Sequence, residues 1–268
     1  IVADIAARFR PDVVHVQHLR GLDIAAVPGV PTVWTLHDAW AWCAAGGLLL
    51  RDGAPCEGPG PSCGPCASGW VRDGVGVASA TAVAGRRAPW SAPHRLPRAW
   101  RHLPAAGRAV ASRGATPVTA AQVEARLRAT RQFADRCTLV APSAWLADAA
   151  ERQGFPRPVV VPHGVDTPPV HRSAGPDAPF LFLGTLAPHK GPHLVVQAHR
   201  QSGIDRALHL HGPPGPDPRY VAALPGRGAL ADPFPALASA RALVLGSTWP
   251  ENAPLVVIEA RAVGCPVI

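Results

Sequence analysis

The chain has 268 residues, 47% of them hydrophobic, enough for two modest α/β domains with separate buried cores. Its formal charge is +8, from 26 basic and 18 acidic residues, and Lys190 is the only lysine. No apolar run approaches the ~20 residues of a membrane-crossing helix. The Arg, Ala and Pro bias is of the kind common in GC-rich genomes, so the charge alone names no partner. There is no methionine, and no secretion signal precedes the first helical pattern. The chain therefore reads as a cytoplasmic excerpt of a longer protein. Six cysteines without such a signal argue against a disulfide framework.

Short β-branched runs alternate with helical stretches along the chain. After an opening helical pattern, residues 13–16 (VVHV) and 32–36 (TVWTL) are predicted strands. Helices are predicted over 122–134 and 143–153, strands over 137–141 and 159–161. Strands alternating with helices imply a parallel sheet covered on both faces. Residues 167–179 are Pro-rich and read as an interdomain linker. A second series follows: strands at 180–183, 207–210 and 242–245, helices at 192–201 and 254–263, and a last strand beginning at 266–268. Pro254 opens the final helix and Gly264 follows it, as helix ends prefer.

Three constellations stand out. In Pro250-Glu251-Asn252-Ala253-Pro254-Leu255-Val256-Val257-Ile258-Glu259-Ala260, two carboxylates lie eight positions apart across a helix start. The N–H groups and positive dipole end between them suit a diphosphate. Each carboxylate suits a pair of sugar hydroxyls. The plain alternative is two solvated glutamates. Second, Cys43-x12-Cys56-x6-Cys63-x2-Cys66 in a Gly/Pro-rich loop suits a tetrahedral structural zinc site. The alternative is four reduced, unliganded thiols. Cys137 and Cys265 stand in strand contexts and are expected to be core residues. Third, residues 74–123 carry no acidic residue, seven arginines from Arg86 to Arg113, and Trp90 and Trp100. This stretch reads as an irregular basic insertion. It is either a solvated loop or a peripheral contact with an anionic membrane surface. No nucleic-acid motif accompanies the charge, so no nucleic-acid partner is expected.

Several motifs in order resemble the family-4-type retaining glycosyltransferases of the GT-B fold (glycosyl transferases group 1). The Glu251–Glu259 pair is similar to that family's E-x7-E motif. Leu183-Gly184-Thr185-Leu186-Ala187-Pro188-His189-Lys190-Gly191 resembles its phosphate loop. Val160-Val161-Pro162-His163-Gly164-Val165-Asp166, Ala141-Pro142-Ser143 and Thr35-Leu36-His37-Asp38 resemble further signatures. The resemblance implies two facing Rossmann-like α/β domains, both truncated. They are an acceptor-side domain over 1–166, the linker over 167–179 and a donor domain over 180–268.

The resemblance also implies roles. His37, Lys190 and Glu251 would be catalytic. Gly184, Thr185, Lys190, Glu251, Asn252, Ala253, Pro254, Leu255 and Glu259 would bind a nucleotide-sugar donor. Glu251 would hold the sugar, Glu259 the ribose and Lys190 the diphosphate. No catalytic metal is implied. The acceptor would be a glycan or lipid-linked glycan of the cell envelope, met at the inner face of the membrane. Two departures from the pattern are Thr185, where Arg is frequent, and His163, where Asn is frequent. The glycine-rich loop expected near the family's start would precede Ile1. Rival readings are a zinc-stapled basic binding module without catalysis, and a nucleotide-sugar epimerase or hydrolase of the same fold.

Overall fold

A computed structural model describes the chain apart from residues 1, 20–23, 25–26, 28, 45–46, 48, 52–53, 73–117, 167–169, 216 and 227. It divides into two compact units, residues 1–51 with 56–162, and 52–55 with 163–268. Both are parallel α/β layers, as the alternation of runs predicts.

In the first unit, α1 (Val2–Phe9) leads into β1 (Val14–Val16). With β2 (Thr32–Thr35), β3 (Cys137–Ala141) and β4 (Val159–Val160) it forms a parallel sheet of order β1-β2-β3-β4. The β-branched residues of these runs suit a pleated, packed surface. Trp34 on β2 is buried against Phe133 and Phe155, with ring centroids 5.6 and 6.5 Å away, and Trp42 lies 5.8 Å from Phe155. Two helices cover the sheet. The first, α3 (Ala120–Ala134), starts with a capping box in which Thr119 and Gln122 satisfy each other's backbone N–H groups. The second, α4 (Ala144–Arg152), is N-capped by Ser143, which accepts from Leu146 N at 3.2 Å.

Two sequence expectations change here. The cysteine stretch is not all loop, because Cys63–Arg72 forms a helix, α2. Its Ala67 packs with Ala44, Val118 and Val123, so this region has a small core of its own. The basic insertion ends earlier than 123, since residues 119–123 are the cap and first turn of α3. Its arginines and both tryptophans lie outside the described residues.

In the second unit, β5 (Phe180–Leu183), β6 (Leu208–His211) and β7 (Ala242–Leu243) form a parallel sheet of order β6-β5-β7. Val267 bridges to Leu243 and continues it briefly. The two-residue period of β5 builds two cores. Leu181 and Leu183 pack with Leu237, Leu243 and Ala260, while Phe182 packs with Val195 and Leu210. Around the sheet lie α5 (Pro192–Ser202), α6 (Pro218–Ala222), α7 (Phe234–Ser239) and α8 (Leu255–Ala262). The predicted linker is anchored over its described part. Arg172 donates to the carbonyls of Leu237, Ala238, Ala240 and Arg241, and Ser173 N donates to Ala238 O at 2.9 Å. This segment sits with the second unit, whose boundary falls at Pro162 and His163. No described helix is long and apolar enough to cross a membrane.

Candidate functional site

In the second unit the chain leaves β5 through Gly184 and Thr185 and enters a tight turn at Pro188–Lys190. Gly191 closes that turn at φ 66° and starts α5. A Cβ at this position would stand 1.7 Å from Gly246 O, so only glycine fits, on both backbone and steric grounds. The close approach lays the lysine turn against the loop that follows β7. Thr248 N donates to His189 O at 2.9 Å, and Lys190 Nζ lies 4.9 Å from the Trp249 ring centroid. Burial lowers the His189 pKa, helped by the adjacent Lys190 charge and opposed by Glu251.

Glu251 is held by two donors on one oxygen. Lys190 Nζ donates to Oε1 at 2.7 Å and Ser247 Oγ donates to the same atom at 2.6 Å. The lysine and glutamate side chains are 25% and 19% exposed, so water screens this pair less than a surface pair. Four residues further, α8 begins; in its first turn Val257 N donates to Pro254 O at 3.0 Å, and the earlier N–H groups precede any partner within the helix. Glu259 stands in the second turn of α8. Burial raises its pKa above the usual carboxylate range, and the negative charge of Asp232 adds to the effect.

These groups surround one pocket of 390 Å³ whose walls include Gly184, Thr185, Lys190, Glu251, Pro254, Leu255 and Glu259. It lies beyond the carboxyl ends of β5 and β6, where open parallel sheets bind ligands. His211 and Gly212, at the end of β6, line it as well. Asn252 and Ala253 are not among its lining residues; they occupy the bend between Glu251 and α8. The arrangement offers a compact cation, two carboxylates and a helix start around a cavity of ligand size.

In the first unit, His37 is exposed just past the end of β2. Its Nε2 donates to Gln17 Oε1 at 2.8 Å, and Gln17 Nε2 lies 3.1 Å from His15 Nε2. His15 in turn lies 2.8 Å from Thr35 Oγ1. Asp38 caps the following turn through Trp40 N at 2.7 Å. That turn is clamped from α3. Arg126, 4% exposed, donates to the carbonyls of Trp40 and Ala41, and Thr130 Oγ1 donates to Ala41 O at 2.9 Å. Burial lowers the Arg126 pKa to about 10, with Cys43 and then Asp38 opposing the shift.

Sequence reasoning missed Ser247, Gln17, His15 and Arg126. No motif marks them, and their roles depend on which distant backbone or side chain the fold brings near. Arg126 had one readable signal: it falls on the apolar face of α3, between Val123 and Leu127. The four cysteines of the zinc expectation do converge on one small cavity. Yet among the described residues no three His, Cys, Asp or Glu side chains are placed to hold a metal ion.

No protein-family model and no curated protein matches the chain. Solved structures do. The chain is similar to HepE from Anabaena, solved in complex with UDP and glucose, with 16% identity and a TM-score of 0.60 over 99% of this chain and 61% of that one. It is similar to a sucrose-phosphate synthase from Thermosynechococcus elongatus, with 15% identity and a TM-score of 0.58 over 98% of this chain and 57% of that one. The chain thus spans about three fifths of the length of these structures. At this identity the likeness speaks to fold, and the fold of this chain is the two-unit Rossmann-like GT-B fold that its ordered motifs imply.

Proposed function

We propose that the chain is the larger part of a retaining glycosyltransferase that moves a sugar from a nucleoside-diphosphate sugar to an acceptor hydroxyl. The observation that carries this reading is the placement of Lys190, Glu251 and Glu259 around one pocket at the strand ends. The HepE structure holds UDP and glucose, which is the donor chemistry this pocket suits. In the reaction, the bond from the anomeric carbon to the diphosphate breaks and a bond to the acceptor oxygen forms on the same face. The acceptor proton passes to the departing diphosphate. Lys190 and the α8 N-terminus stabilise the charge that builds there. Glu251 accepts from hydroxyls of the transferred sugar and Glu259 from the ribose. His37 remains a candidate catalytic residue of the first unit. No step needs a metal ion.

The proposed acceptor is a cell-envelope polysaccharide or lipid-linked glycan, in keeping with the family resemblance of the motifs. The test is a panel of nucleotide sugars offered to the full-length protein and read by protection from thermal unfolding. One donor should protect, and turnover should then require an added acceptor. Turnover without any acceptor would turn the reading to an epimerase or hydrolase. Protection by none of the donors would remove it.

A further inference from the structure

Cys43, Cys56, Cys63 and Cys66 reach one place from three stretches of chain. Cys43 follows the Asp38-capped turn, where its N–H donates to Ala39 O at 2.7 Å. The Cys56 N–H donates to Leu49 O at 2.7 Å. Cys63 and Cys66 lie on the first turn of α2, three residues apart and so on one helix face. All four line one cavity of 20 Å³, whose other walls include Trp42, Ala44 and Leu49. The space is of the order that a single ion or water occupies. None of the six cysteines of the chain forms a disulfide.

We infer that this cavity is a structural zinc site that binds one ion through the four thiolates and staples the loop after β2 to α2. Zinc favours four sulfur ligands in tetrahedral geometry at ~2.3 Å. The four cysteines line the cavity, and among the described residues no three of them are already placed around an ion position, so binding requires their side chains to close on the ion. Each thiol that coordinates gives its proton to solvent, and a divalent ion with four thiolates carries a net charge of −2. Two features of the surroundings suit that charge. Gly60 N donates to Cys63 Sγ at 3.2 Å. Arg126, a buried cation, donates to the carbonyls of Trp40 and Ala41, just before Cys43 in the chain. The loop is also tied to the body of the unit before any ion arrives, since Gln153 Nε2 donates to Glu57 O at 3.2 Å. Cys63-Gly64-Pro65-Cys66 at a helix start would by itself also serve a redox dithiol. Four thiols on one cavity favour the metal, because a dithiol leaves Cys43 and Cys56 without a role.

The experiment uses untagged full-length protein purified in the presence of a reductant and without added metal. Metal analysis should find one zinc per chain. A mercurial thiol reagent should release it, and chelation should lower the melting temperature. Replacement by cobalt(II) should give the intense visible bands of a tetrahedral tetrathiolate, which count the thiolates in wild-type protein without relying on any variant. Cys56→Ser should lose the metal, whereas Cys137→Ser, on β3, should keep it. The inference is overturned if reduced protein carries no zinc and takes up no cobalt in this form. A Cys63–Cys66 disulfide in protein prepared without reductant, with an unchanged melting temperature after chelation, overturns it in favour of a dithiol. Neither outcome touches the donor pocket, which lies in the other unit.

Discussion

Lys190 Nζ donates to Glu251 Oε1, and an ammonium has three donors, so under the proposed function it can also face a diphosphate. Lys190 is the one lysine in a chain whose other basic residues are all arginine. The head is confined between the Trp249 ring and Glu251 Oε1, and a planar guanidinium needs more room. Lys190→Arg should therefore restore only part of the turnover that Lys190→Ala loses. Glu251→Gln removes a charged hydrogen-bond partner, worth ~1.5–3 kcal/mol. Its turnover should fall roughly 10- to 150-fold with the melting temperature little changed, and wild-type rates would remove Glu251 from the site. Glu259 carries the opposite signature. Its carboxyl pKa is raised by burial and by Asp232, so the folded state disfavours the charged form. This cost is absent below the ordinary carboxylate pKa, where both states are protonated, and is complete above the raised folded value. Glu259→Gln should thus raise the melting temperature of the donor-free protein at neutral pH, lose that gain in acid, and weaken donor binding. A melting temperature that falls at neutral pH contradicts this. The motif made Lys190 and both glutamates legible, but not the ion pair or Ser247. Both depend on how the loop after β7 folds back on the lysine turn.

Helix α3 acts on the first unit's loop from below. Arg126 donates to the carbonyls of Trp40 and Ala41, the second of which also accepts from Thr130 Oγ1. Its removal takes this donor from Trp40 O, at ~1–3 kcal/mol, while Ala41 O keeps Thr130 Oγ1. Arg126→Met should lower the melting temperature by several degrees; an unchanged melting temperature would dismiss the clamp. Thr119→Ala should cost about 1 kcal/mol through loss of the capping box. The strands were legible because β-branched runs between Pro, Gly and Asp have few other uses. Helix ends were less so. The apolar period of α3 becomes visible only at Val123, one turn after the helix begins. Helix α2 was hidden by Gly64, Pro65 and Gly69, which read as loop, yet its small residues let it pack closely on α3. The short helices α6 and α7 carry prolines near their starts and too few turns to show a period.

Taken whole, the chain joins two parallel α/β units with different chemical endowments. The second holds a cation, two carboxylates and a helix start around a pocket. The first holds the histidine cluster and the four thiols. The alternation of strands and helices made this architecture readable, and the structural likeness to HepE and sucrose-phosphate synthase covers both units. Identity of 15–16% transfers no substrate, so donor and acceptor must come from the chain's own chemistry. The most direct test of the central claim is steady-state kinetics of the full-length enzyme and its Lys190→Ala variant, with the donor that protects it and a matched acceptor. Charge builds on the diphosphate only as the sugar departs. Turnover of the variant should therefore fall about 100-fold or more while donor affinity changes far less. Near-normal turnover in Lys190→Ala would contradict the account, because the pocket in the second unit would then not be where the sugar is transferred.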